Sequence, residues 1–166
     1  MSTACVRCNG TTKAGQPCRN MTCKYAPKCH LHTKVEIKQS PIAGCGLFAK
    51  SPIKKGEIIA DYRVGTTQMT QQQFRAKYPR DTDATHAILV GGYYYDAPQL
   101  RNCNNHKGLK SAAGMINHKP LSSSNAKFTG QSQHGPGGKV KAKKNIRPGT
   151  EITVYYGRDY QFARRR

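Results

Sequence analysis

Acidic residues are scarce in this chain: 8 Asp and Glu stand against 28 Lys and Arg, a net charge of +20. Such a surplus implies a polyanionic neighbour, nucleic acid or chromatin; the plainer explanations are a generally basic proteome or a solubility device. The basic residues spread along the whole chain, with a denser run over Lys139–Lys144 and a tail at Arg164–Arg166. Charge alone therefore marks no single recognition helix. Long apolar runs are missing as well. No stretch approaches the ~20 residues of a membrane-spanning helix, and Met1–Gly10 lacks the apolar core of a secretory leader. The expectation is a soluble, intracellular protein with one ordinary domain and a small appendage, because 166 residues do not suffice for two full cores.

Aliphatic residues nearly vanish from the first 33 positions, and cysteine takes their place. Of seven cysteines, five fall within the first 29 residues. The stretch CVRCNGTTKAGQPCRNMTCKYAPKCHLH offers Cys5, Cys8, Cys18, Cys23, Cys29, His30 and His32. It cannot bury a core of its own, so a tetrahedral zinc is the natural device to offset its chain entropy. In a reducing compartment the crowding points to metal rather than disulfides. The spacing Cys8–x9–Cys18–x10–Cys29–x2–His32 resembles a short zinc-binding motif, C-x-x-T-x-x-G-x-x-C…C-x-x-H, with Gly15 free to turn the chain between ligands. One zinc on Cys8, Cys18, Cys29 and His32 leaves Cys5 and Cys23 spare; two zincs sharing five Cys and one His through bridging thiolates use them. The remaining alternative is a set of unliganded thiols in a disordered basic arm. Residues 1–33 are read as this segment, residues 34–166 as the main domain.

From Val35 onward the pattern changes to short alternating runs. Val35–Lys38, Leu47–Ala49, Glu57–Tyr62, Ala87–Val90 and Tyr93–Asp96 read as strands, the last two separated by Gly91-Gly92. Thr70–Tyr78 is the best helix, with Thr70 able to cap it and Pro79 ending it. Pro98–Lys110, containing a lone Cys103, looks like an inserted loop. Val140–Ile146 alternates apolar residues with lysines, which suggests an exposed edge strand guarded against aggregation. Glu151–Tyr156 is a final strand delivering a tyrosine to its end.

Three ordered pieces carry the functional signal: AGCGLFA (Ala43–Ala49), MINH (Met115–His118) and RPGTEITVYYG (Arg147–Gly157). In MINH an amide and an imidazole end an apolar pair, and polar groups carried to the edge of a core must be hydrogen-bonded or bind something. Together, over about Val35 to Tyr160, these pieces resemble the SET-domain protein lysine methyltransferases, closest to the minimal kind found in some large DNA viruses. The resemblance implies a mainly β fold with few short helices, β-clip-like and pseudoknotted, with the small zinc-binding segment added at the N-terminus. It also implies S-adenosylmethionine as methyl donor. Ala43, Gly44, Cys45 and Gly46 then match the loop lying against that donor, and Asn117 and His118 the pair holding its amino-acid end. Phe162 is a candidate to pack on the adenine. Tyr156 matches the catalytic tyrosine, and Tyr160 a second tyrosine of the substrate channel.

Departures from the family pattern are Gly114 where arginine is common, Lys119 after the histidine, Tyr155 for an aspartate, and Cys45 for an aromatic. No cysteine cluster follows Gly157, so Asp159–Phe162 must close the channel without a zinc-bound cap. The implied function is methylation of a protein lysine, a histone above all. Nucleosomal DNA is a second partner through the basic surface, a homodimer stands open beside a monomer, and the setting is the nucleus or chromatin (host nucleus or virion for a viral chain). The alternative is a basic zinc-containing nucleic-acid-binding or chromatin-binding protein whose SET-like fold does not catalyse.

Overall fold

Short β-strands, joined by tight turns and one α-helix, make up the described residues. The computed structural model describes residues 5–23, 32–80, 83–103, 106–129 and 137–157. The head contains a small antiparallel pair, β1 (Cys5–Arg7) and β2 (Met21–Cys23), with the backbones of Cys5 and Cys23 opposite each other.

The main domain begins with the hairpin of β3 (Val35–Gln39) and β4 (Cys45–Ala49), where Val35 faces Ala49 and Ile37 faces Leu47. Cys45 and Gly46 belong to the strand rather than to the turn, because Ser40 N–H donates to Gly44 O at 2.8 Å and closes the hairpin early. After β5 (Ile58–Asp61) and β6 (Thr67–Met69) comes α1 (Gln71–Lys77). Its start is a capping box: the Thr70 hydroxyl accepts from Gln73 N–H while the Gln73 side chain accepts from Thr70 N–H. Arg75 and Lys77 in its last turn suit the negative end of the helix dipole. Losing the cap in Thr70→Ala should cost about 1 kcal/mol.

β7 (Ala87–Val90) and β8 (Tyr93–Asp96) form a hairpin whose two turn residues, Gly91 and Gly92, have φ of 58° and 85°. A two-residue hairpin turn with both φ positive is the kind Gly-Gly favours. β8 sits between β6 and β7, and α1 packs on this sheet through Phe74, stacked on Tyr94 at 3.8 Å between ring centroids. The tyrosine run of β8 thus packs through Tyr94. Buried Asp96 fastens the helix end, accepting from Lys77 Nζ at 2.6 Å and the Tyr78 hydroxyl at 2.8 Å.

The expected loop 98–110 runs into a 3-10 segment, His106–Met115, kinked at Ser111. It packs against β3, β4 and β5. Gly114 lies on this segment, and a Cβ there would come within 2.2 Å of the Ala97 Cβ. That close approach explains the first departure from the family pattern: an arginine has no room.

β9 (Asn117–His118), β10 (Ala126–Phe128), β11 (Lys139–Ala142) and β12 (Thr153–Val154) complete the elements of the described residues. The expectation of an edge strand at 140–146 is overturned. β11 is the central strand between β10 and β5, with Val140 and Ala142 buried and lysines on the outward face. The alternation was a one-sided strand, not an exposed one. The core gathers Leu47, Ile116, Val140, Ile152 and Val154, all essentially inaccessible to solvent. Each contributes roughly 1.5–3 kcal/mol by burial, and Ile152→Ala should cost about 2–5 kcal/mol.

Candidate active site

The chain from 150 to 154 lies between the two other motifs and brings them together. On one side Ile152 N–H donates to Leu47 O at 2.7 Å, and Glu151 bridges to Phe48 of β4. On the other, β12 runs parallel to β9, with Thr153 opposite Asn117 and Val154 opposite His118. Asn125 staples the same segment, donating to Glu151 O at 2.7 Å and accepting from Thr153 N–H at 2.8 Å.

At the β4 side a polar knot fixes the glycine loop. Asn117 Nδ2 reaches the carbonyls of Ala43 at 3.1 Å and Cys45 at 3.3 Å, and Glu151 Oε1 at 2.9 Å. The same Oε1 accepts the Ser40 hydroxyl at 2.7 Å, and Ser40 Oγ accepts from Ile42 N–H at 2.9 Å. Gly46 is required by this knot, since a Cβ would stand 2.5 Å from Glu151 Oε1. Gly44 is different: it is exposed, has φ of +46°, and its Cβ direction is open. The amide nitrogen of Asn117 is committed within the protein, which leaves its Oδ1 to accept.

At the other end of β9 the backbone N–H of Tyr156 donates to His118 Nδ1 at 3.2 Å. Nδ1 therefore carries no proton, and burial pushes the His118 pKa below the ordinary histidine value. The rings of Tyr155 and Tyr156 flank the imidazole at 5.5 and 5.4 Å. The Tyr156 hydroxyl donates to the Ile116 carbonyl. His118 Nδ1 is thus engaged by the backbone of the segment that carries Tyr156.

Cys103, read as a lone cysteine, is disulfide-bonded to Cys45. The Cys45 side chain is thereby spent, and the inserted loop is tied to the glycine loop. Spacing held no sign of this, because 58 positions separate the two.

In the head, Cys8, Cys18 and His32 place Sγ, Sγ and a ring nitrogen within 4.8 Å of one another. Both sulfurs are buried and accept backbone N–H groups, Gly10 to Cys8 at 3.3 Å and Asn20 to Cys18 at 3.4 Å. Such donors favour the thiolate form. His32 Nε2 lies 2.8 Å from Thr11 O, a pure acceptor, so Nε2 holds the proton and Nδ1 turns its lone pair toward Cys8 Sγ at 3.6 Å. Two thiolates and an imidazole oriented by a carbonyl suit a tetrahedral borderline-soft cation. Cys29, Tyr160 and Phe162, and the side chains of Cys5 and Cys23, lie outside the described residues.

Sequence reasoning gave no role to Ser40, Asn125, Glu151 or Cys103. Ser40 had a readable signal, a Ser-Pro step that starts turns. Glu151 sat inside a motif already singled out; Asn125 had no signal at all.

A SET-domain family model matches residues 44–157. No curated protein matches the chain. Among solved structures, a candidate histone methyltransferase of Plasmodium falciparum is similar at 20% identity, covering 78% of this chain and 97% of that one, with a TM-score of 0.49.

Proposed function

From the premise that this chain belongs to the SET-domain family, we propose that it methylates lysine side chains of a protein, a histone, with S-adenosylmethionine as donor. The observation carrying this reading is the convergence of three distant segments. The glycine loop, Asn117 and the segment running from β12 to Tyr156 border one another through direct hydrogen bonds.

The chemical obstacle is ionisation. A lysine amine has a pKa near ~10.4, so almost none is nucleophilic at neutral pH. When bound, S-adenosylmethionine supplies an electrophilic methyl on a sulfonium. The residues present fit that group: an exposed glycine turn that a backbone-hugging ligand can approach, and the Asn117 Oδ1 as acceptor for an ammonium. Ala43, Gly44, Cys45, Gly46, Asn117 and His118 are its proposed surroundings, with Gly46 and His118 acting on the protein side. Tyr156 is the proposed catalytic residue. Its hydroxyl, tied to the Ile116 carbonyl, puts oxygen lone pairs where an amine must be oriented and its proton lost to solvent. Phe162 on the adenine and Tyr160 in the channel complete the proposal.

The head is proposed to hold one zinc through Cys8, Cys18 and His32, with Cys29 as fourth ligand. A surface of +20 repels a free histone tail, so nucleosomal DNA is the partner that offsets the repulsion. The chain is accordingly proposed to act at chromatin, in a nucleus. Labelled methyl donor incubated with nucleosomes, free histones and the Tyr156→Phe variant tests this. Label on a histone lysine, lost in the variant, is expected; no transfer to any histone overturns the reading.

A further inference from the structure

Every acidic side chain among the described residues already has a partner: Glu36 holds Lys38, Glu57 holds Lys34 and the Lys54 N–H, Asp61 holds Arg63 and lies opposite Lys139 of β11, Asp83 holds Arg80, Asp96 holds Lys77, and Glu151 holds Asn117. The sheet β5–β11–β10 shows what that leaves. Its inner face is Ala126, Val140 and Ala142, so the period of two turns Lys127 and Lys141 outward. These two are register partners on adjacent strands, a like-charge pair directly opposed, which destabilises a sheet. Next to Lys141 on the third strand stands Ile58, half exposed, and the register shifts there so that Val140 pairs Ala60 and Lys141 pairs Ile58.

The row continues into two turns. A Cβ on Gly56 would touch the Lys141 stem at 3.8 Å, so the turn carrying Lys54 and Lys55 adjoins it. Lys55 N–H in turn donates to Asn145 Oδ1 at 2.8 Å, which brings in the exposed Lys144. Five lysines thus form one continuous strip, and among the described residues none of the five has an ion-pair partner. Among the described residues the strip carries no exposed aromatic ring for a base to stack on, since Phe128 packs against the core.

We propose that the outward face of β5, β11 and β10, with the turns at Lys54–Lys55 and Lys144, binds the phosphate backbone of double-stranded DNA. Phosphates relieve the opposed lysines and replace the missing carboxylates. The absence of stacking rings favours a duplex over single strands, which need them. The inference rests on the chromatin reading above for the identity of the polyanion.

The test is equilibrium binding of a short labelled DNA duplex to the full chain over a range of salt, without methyl donor. Lys127→Gln/Lys141→Gln should lower the slope of log affinity against log salt by about 1.8, two lost phosphate contacts. That corresponds to a roughly tenfold smaller loss of affinity between 50 and 200 mM salt. Arg75→Gln/Arg80→Gln, which removes the same charge from the α1 side, should leave the slope near wild type. Equal effects of the two double variants, preference for a single strand of the same length, or no duplex binding overturns the proposal. A chain that binds duplex but methylates nothing sinks the catalytic reading and leaves this one standing. Methylation of free histone without duplex binding does the reverse.

Discussion

Asn117 donates its amide nitrogen to Glu151 Oε1 at 2.9 Å, joining the short strand of the second motif to the segment that opens the third. The same carboxylate oxygen takes the Ser40 hydroxyl, so one acceptor holds three parts of the fold. Glu151→Ala should leave both donors short of a partner, at about 1–3 kcal/mol. Chemical denaturation should show that loss, and added S-adenosylmethionine should raise the melting temperature less than it does in wild type. Glu151→Gln keeps an acceptor oxygen and should recover most of the stability. Asn117→Ala should lose donor-dependent stabilisation altogether. Full ligand stabilisation in Asn117→Ala would show that the donor binds elsewhere.

Tyr156→Phe separates chemistry from folding. Its hydroxyl donates to the Ile116 carbonyl, and losing that hydrogen bond should cost about 0.5–1.5 kcal/mol. Methyl transfer should fall by orders of magnitude while donor binding persists. Unchanged turnover would remove Tyr156 from the chemistry.

The strands with clean alternation, the capped helix and the Gly-Gly hairpin were all legible because each rests on local rules. Thr70 with Gln73, or Gly91 with Gly92, needs only near neighbours. What escaped depends on contacts far apart in the chain. Lysines alternating with Val140 and Ala142 read as an edge because nothing local reveals that both neighbours are occupied. The crowding of Gly46 by Glu151 is invisible until the strands assemble. Asn117, His118 and Tyr156 were singled out through the motifs; Ser40 and Asn125, which hold Glu151 and Thr153 beside them, were not.

Stability should depend on pH through two histidines. Burial pushes His118 and His86 below the ordinary histidine value, with Asp96 partly opposing the shift at His86. The unfolded chain therefore takes up protons first as pH drops below ~6.5. Stability is full above that point and declines as pH falls toward the folded-state values. Protonation of His118 also removes the acceptor for Tyr156 N–H. Melting temperatures should be level from pH 8 to 7 and fall below 6.5. His118→Asn, which does not titrate and offers an oxygen near the Nδ1 position, should flatten part of that decline. An identical profile in the variant would rule His118 out as a contributor.

Metal content is the direct measure of the head. One zinc per chain is expected, because the described ligand atoms of Cys8, Cys18 and His32 form a single cluster. Chelation should lower the melting temperature, and Cys8→Ser or His32→Ala should abolish retention of the metal. Gly10→Ala should do nearly as much without touching a ligand, since its Cβ would sit 2.4 Å from the His32 ring. Zinc-free protein with an unchanged melting curve would rule out a structural metal.

The bond between Cys45 and Cys103 closes a long loop and should be worth about 2–4 kcal/mol. For a chain of this size a phosphine reductant should then lower the melting temperature by roughly 4–16 °C. The released thiols have acceptors in place, Gln39 Oε1 at 3.3 Å from Cys103 Sγ and the Leu100 carbonyl at 4.0 Å from Cys45 Sγ. Reduction should therefore loosen the inserted loop without unfolding the domain. Cys103→Ser should melt like the reduced wild type and ignore the reductant. The carbonyl of Cys45 is one of the acceptors held by Asn117, so the glycine loop stays anchored when the side-chain link is gone. Donor-dependent stabilisation should accordingly survive in Cys103→Ser. Its complete loss would mean that the disulfide, not the asparagine, holds the loop in place.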